Sequence, residues 1–117
     1  MPQKEMAWPR QPSDRQWVKP EGDDPRTLYQ MLMVSQERFG DDPCIGYIPS
    51  PGMPRVHLTY NEFGDLATAV AKGLRDIGVE KEDRVAIIID NSVEWAALSY
   101  GGNALGAAYT AMYTHQH

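Results

Sequence analysis

Apolar and polar positions recur along this chain with two different periods, and the changes of period mark out its elements. Val85-Ala86-Ile87-Ile88-Ile89 is the only run of consecutive apolar residues dominated by β-branched side chains. Such a run predicts a strand buried on both faces. Before it, Phe63, Leu66, Ala67, Val70, Ala71, Leu74 and Ile77 recur at intervals of three and four, while Glu62, Asp65, Lys72, Arg75 and Asp76 fall elsewhere. This spacing predicts an amphipathic helix over 59–77. Thr59-Tyr60-Asn61-Glu62 opens it as a capping box, and Gly78 closes it where a left-handed conformation costs nothing. Beyond the strand, residues 92–105 predict a helix that is apolar around most of its circumference, with Glu94 as its only charge, in the favourable first turn. It needs interior surroundings. Gly101, Gly102 and Gly106 weaken it intrinsically, so their expected value is close approach of another backbone. Ala107-Ala108-Tyr109-Thr110-Ala111-Met112-Tyr113 then reads as a second strand. Strand, helix, strand is the crossover that lays two parallel strands side by side with the helix on one face.

The first half of the chain reads differently. Leu28, Met31, Leu32, Ser35 and Phe39 at helical spacing predict a helix over 27–39, with Pro25 ahead of it and Gly40 as its stop. Asp41-Asp42-Pro43 make a turn, 44–48 a strand, Pro49-Ser50-Pro51-Gly52-Met53-Pro54 a proline-rich loop, and 55–58 a partner strand. The result is a two-stranded hairpin. Pro2, Pro9, Pro12, Pro20 and Pro25 preclude a regular element near the N-terminus. Residues 1–26 are therefore expected to form an extended or disordered arm, with Trp8 and Trp17 available as apolar anchors, and residues 27–117 a partial α/β domain.

That domain is expected to be incomplete by itself. Burying a large apolar side chain contributes roughly 1.5–3 kcal/mol, against about 1–2 kcal/mol per residue for backbone ordering. A strand such as 85–89 gains only when both faces are covered, so a covering partner is implied.

Composition narrows the function. Sixteen Asp and Glu against eleven Lys and Arg give a net charge of −5, with no basic cluster on any predicted face. Nucleic-acid binding by counterion release is disfavoured. Cys44 is the single cysteine, which excludes an internal disulfide framework and suggests a small buried filler. The N-terminal stretch lacks the apolar core of a signal peptide, and the run at 85–89 is far too short to span a bilayer. The expectation is an intracellular chain without a transmembrane segment, soluble or peripheral to a membrane.

Chemistry is hard to find. Gly101-Gly102-Asn103-Ala104-Leu105-Gly106 matches neither phosphate-loop pattern and falls late in a helix, where anion cradling does not occur. Asp90-Asn91-Ser92 follows a strand and precedes a helix, but capping by Ser92 or Asn91 is its ordinary role. His115 and His117 could ligate a metal only with further ligands, which spacing does not supply. His57 reads as a half-exposed strand residue. Asp23-Asp24, Asp41-Asp42 and Glu82-Asp83 all fall in turns, where solvation explains them. No catalytic, cofactor-binding or metal residue is assigned.

Three segments in order, L-T-Y-N-E-F at 58–63, L-R-D-I-G-V-E-K-E-D-R-V-A-I-I-I-D-N-S-V-E-W at 74–95 and G-N-A-L-G-A-A-Y-T-A-M-Y at 102–113, resemble the start of the AMP-forming acyl-CoA synthetases, members of the adenylate-forming superfamily. Glu82-Asp83 stands where the family often has Gly-Asp, and Ala104-Leu105-Gly106 where it often has Lys-Ala-Gly. The resemblance implies the N-terminal portion of a larger enzyme fold, a hairpin plus a βαβ unit. For the full-length relative it implies a ligase that uses ATP and Mg²⁺ to convert a carboxylic acid to an acyl-adenylate, then transfers the acyl group to coenzyme A. The proline-rich loop looks like the long-chain fatty-acid branch. The family's phosphate loop, its ribose-binding acid and the lysine of its mobile domain have no counterpart here, so no catalytic residue carries over. These 117 residues are expected to be an N-terminal fragment, inactive alone and completed by the remainder of a synthetase chain. The alternative is a stand-alone interaction module that docks through the apolar faces of 85–89 and 109–113. A free-standing dinucleotide-binding domain lacks its glycine fingerprint.

Overall fold

A computed structural model describes residues 25–112 and 114. The arm predicted for 1–26, with Trp8 and Trp17, falls almost wholly outside the described residues, as do Asp23-Asp24, Tyr113, His115 and His117. The order of elements is α1 (Leu28–Phe39), β1 (Pro43–Tyr47), β2 (Val56–Thr59), α2 (Tyr60–Asp76), β3 (Arg84–Ile87), α3 (Val93–Ala104) and β4 (Ala108–Ala111). All seven elements expected from periodicity form, with ends shifted by one or two residues.

Local chemistry explains where the helices start. Thr59 caps α2: its hydroxyl accepts from the Glu62 amide at 3.1 Å while the Glu62 carboxylate accepts from the Thr59 amide at 3.0 Å. A second capping box opens α1, where the Thr27 hydroxyl accepts from the Gln30 amide and the Gln30 side chain accepts from the Thr27 amide. The Ser92 hydroxyl caps α3 by accepting from the Trp95 amide at 3.2 Å. The chain leaves α2 through Gly78 at φ +102. Ile77 is the C-cap, already off the helix face, and it is 79% exposed rather than packed.

The three helices and the hairpin share one core. Leu32 of α1, Phe63 and Ala67 of α2 and Ala97 of α3 form its buried centre, with Cys44, Ile45 and Leu58 of the hairpin against it. Phe63, 1% exposed, meets Tyr100 edge to face with ring centroids 5.6 Å apart. Gly101 permits the contact between α2 and α3. A Cβ there would lie 2.7 Å from Val70 Cγ1 and 3.1 Å from the Ala71 amide nitrogen, so the expected close approach is real at this position. It does not extend to Gly102, which has open space around its would-be Cβ. Gly106 lies past the helix at φ +74.

The two sheets are separate. β1 and β2 pair antiparallel, Ile45 with Leu58 and Tyr47 with Val56, and Cys44 is the extra residue of a bulge. β3 and β4 pair parallel, from Arg84 with Ala108 to Ile87 with Ala111. Here the expectation fails in one respect. The strand is not buried on both faces: Ile87 is 3% exposed, but Ala86 is exposed and Ile88 is 55% exposed. Helix α1 packs on α2 and α3, and α2 on α3 and the hairpin, which among the described residues leaves only α3 to cover the β3–β4 sheet.

Candidate functional site

The crossover determines where a site can form. In parallel sheets ligands gather outside the carboxyl ends of the strands, where the chain turns from strand to helix. A cavity of about 460 Å³ occupies that position, lined by Ile89, Asp90, Asn91, Trp95, Ala111, Met112 and Thr114. β3 delivers Ile89 and Asp90 to its rim, the capped start of α3 delivers Trp95, and β4 delivers Ala111 and Met112. Trp95 stands edge to face with Tyr109 at 6.2 Å, which ties the first turn of α3 to β4. Across the mouth the Thr114 hydroxyl donates to Asp90 Oδ1 at 2.6 Å.

A second, shallower trough of about 930 Å³ lies between the hairpin and the start of α3. Ile45, Tyr47, Ile48, Leu58 and Leu66 form its apolar wall, and this explains why Leu66, on the packing face of α2, is still 36% exposed. Arg55 and Glu94 are its charged residues. Neither recess has a lysine in its lining, and neither offers a glycine turn at the head of a helix. These linings do not fit a nucleotide triphosphate with its metal. They fit apolar groups, with Asp90 and Asn91 able to pair with a polar atom at one edge.

The residues weighed from sequence are scattered. Asp90, Asn91 and Ser92 come together at the head of α3, and Ser92 takes the capping role. Cys44 sits half-buried against the core, where burial raises its thiol above its ordinary pKa and so keeps it protonated. His57 is exposed on β2 and lies over Gly46. Asp41 accepts from the Asn61 amide group, and Asp83 accepts from the Glu80 amide within a turn at 2.7 Å. The metal ligands considered at His115 and His117 lie outside the described residues, and no cluster of three metal-ligating side chains occurs among the described ones. Trp95, Met112 and Thr114 were not singled out from sequence. The available signal was the topology itself, because a βαβ unit sets the carboxyl end of one strand beside that of the other.

Comparison with known proteins supplies the context that these recesses lack. The family model described as AMP-binding enzyme matches residues 33–117. Over 90 residues the chain is 32% identical to the long-chain-fatty-acid–CoA ligase ACSBG1 of Bos taurus, covering 77% of this chain and 12% of that protein. It is 44% identical over 52 residues to the long-chain-fatty-acid–CoA ligase FadD13 of Mycobacterium tuberculosis, covering 44% of this chain and 10% of the relative. Among solved structures, the N-terminal domain of FACL13 from Mycobacterium tuberculosis superposes with a TM-score of 0.69 at 31% identity, covering 79% of this chain and 22% of that one. The chain thus spans about an eighth or less of the length of these curated relatives.

Proposed function

Because the chain belongs to the AMP-binding enzyme family, where it carries the N-terminal part of an AMP-forming acyl-CoA synthetase, we propose that it forms one wall of an ATP-dependent fatty acid–CoA ligase. The reaction would pass from carboxylic acid to acyl-adenylate, and then to acyl-CoA. ATP, Mg²⁺ and coenzyme A would be held by the remainder of the synthetase, and residues 27–117 alone would not adenylate a fatty acid. Consumption of ATP and coenzyme A supports an intracellular setting.

The observation that carries this reading is the pairing of a family match over 33–117 with recess linings that hold no lysine and no glycine-rich helix start. Transition-state charge on a transferring phosphoryl or adenylyl group needs fixed cations and oriented N–H donors. Arg55 is the single cation in the two linings. The open face of the β3–β4 sheet supports the second half of the reading, since it offers a seat for further layers. The second capping box, at Thr27, supports a domain boundary close to residue 26.

Fatty-acid-dependent exchange of radiolabelled pyrophosphate into ATP tests it. The 117-residue chain is expected to give none. A long-chain synthetase whose own matching segment has been replaced by residues 33–112 of this chain is expected to exchange. Exchange by the isolated chain, or silence from a folded chimera whose parent is active, overturns the reading.

A further inference from the structure

The chain enters α1 at a fixed place, since the Gln30 side chain accepts from the amides of Arg26 and Thr27. The Tyr29 amide donates to the Asn103 side chain at 2.9 Å, so this entry point lies beside the last turn of α3. The trough between the hairpin and α3 lies at the other end of the same helix, where Asn91, Ser92, Val93 and Glu94 line it. Twelve residues of helix set the two ends about 18 Å apart. From Trp17 to Pro25 an extended chain spans up to about 26–29 Å, which covers that distance. Pro20 also biases Lys19 towards an extended backbone.

We propose that residues 14–19 of this same chain, D-R-Q-W-V-K, lie in the trough, with Trp17 and Val18 as the groups that fill it. In an extended segment successive side chains point to opposite sides, and the trough has two different walls to receive them. Trp17 and Lys19 share the side that meets α3, where Val93 and Leu66 take the indole and Glu94 takes the ammonium group. Asp14 and Val18 share the other side, where the hairpin offers Arg55 to the carboxylate and Tyr47 and Leu58 to the isopropyl group. Both charged residues of the trough thus find a partner of opposite sign, one near each end of the segment. A chain arriving from α1 along α3 meets Glu94 with Lys19 first and reaches the hairpin with Asp14 later, in agreement with the order of the sequence. Asn91, also in the lining, is of a type that accepts from an indole N–H, and a buried tryptophan needs such a partner. A short tether holds the segment at an effective concentration of roughly millimolar, so a contact too weak for a free peptide still forms. The inference goes beyond the ligase role and does not depend on it.

Tryptophan fluorescence of the 117-residue chain tests it. Trp8→Phe with Trp95→Phe leaves Trp17 as the sole tryptophan, and Trp17→Phe with Trp95→Phe leaves Trp8. Trp17 is expected to emit at shorter wavelength than Trp8 and to be quenched by acrylamide several-fold less readily. Leu66→Asp, at a trough side chain that is 36% exposed, should return Trp17 to the quenching shown by Trp8. Asp14→Arg, which changes no residue of the folded core, should lower the ratio of docked to free segment by about two- to fivefold, the range of an exposed ion pair. Arg55→Glu should do the same alone and restore the ratio when combined with Asp14→Arg. Ile88→Asp, at the open face of the β3–β4 sheet, should leave Trp17 unchanged. Quenching of Trp17 as ready as that of Trp8 in the parent chain, release by Ile88→Asp rather than by Leu66→Asp, or absence of the charge-swap rescue would each overturn the proposal. So would protection of Trp17 that vanishes on dilution, which would assign the trough to a second copy of the chain.

Discussion

The three-helix core, built largely from amphipathic helices, and the β3–β4 sheet, which holds the chain's continuous β-branched run, meet opposite fates. Around Phe63 every direction is filled, by Leu32 from α1, Ala97 from α3 and Ile45 and Leu58 from the hairpin. In the sheet Ile87 is buried beneath α3 while Ile88, one residue on, is more than half exposed. Apolar content therefore does not decide burial by itself. What decides it is whether another element is available on that side, and α1 is committed to α2 and α3, while α2 is committed to α3 and the hairpin. The helix α3, apolar around its circumference, satisfies itself by serving three neighbours at once, α1 through Asn103, α2 through Gly101 and the sheet through Trp95. The sheet has no second neighbour among the described residues.

Substitutions at matched positions can break this contrast. Phe63→Ala removes the largest fully buried side chain and its edge-to-face contact with Tyr100, at an expected cost of about 3–5 kcal/mol. In a domain this small that should abolish a cooperative urea transition, and a surviving sharp transition would mean that the helical cluster is not the stable region. Thr59→Ala takes away the hydroxyl cap of α2 and should cost about 1 kcal/mol, read as a shift in the urea midpoint at constant slope. The smallest change is expected from Ile88→Ser, within about 0.5 kcal/mol as for exposed positions generally. A loss of more than about 1 kcal/mol there would show that something covers the open face in solution, and the contrast between the two regions would disappear.

Much of this architecture was legible because two periods sufficed to read it. The apolar spacing in α2 and the capping box at Thr59 give that helix almost to the residue, and the strand–helix–strand order gives the parallel pairing of β3 with β4. The capping box at Thr27 is equally readable, as T-L-Y-Q, although the prediction of α1 rests on its apolar spacing with Pro25 ahead and Gly40 behind. Burial was read less well. A run of β-branched residues records that a strand can tolerate cover on both faces, not that the cover is present, and so the exposure of Ala86 and Ile88 could not be seen. Ile77 fits the helical period arithmetically but sits at the C-cap, where the period no longer describes direction. The recess at Trp95 and Met112 joins residues far apart in the chain, and no local pattern records such a meeting. The ordered family segments at 58–63, 74–95 and 102–113 carried the functional reading, which the side chains of the recesses do not contain.

One contact near the start of the chain bears on how the molecule is made. The amide of Tyr29, in the first turn of α1, donates to the side chain of Asn103 at the far end of α3, and the Tyr29 hydroxyl meets the Thr68 hydroxyl on α2. During synthesis α1 leaves the ribosome before α2 and α3, yet its opening turn lacks this partner until more than seventy further residues have been added. At ordinary elongation rates that delay is on the order of ten seconds. Of the three described helices the earliest made is the last to be finished, and through that interval Leu32, 6% exposed once packed, is accessible to any chaperone waiting at the tunnel exit.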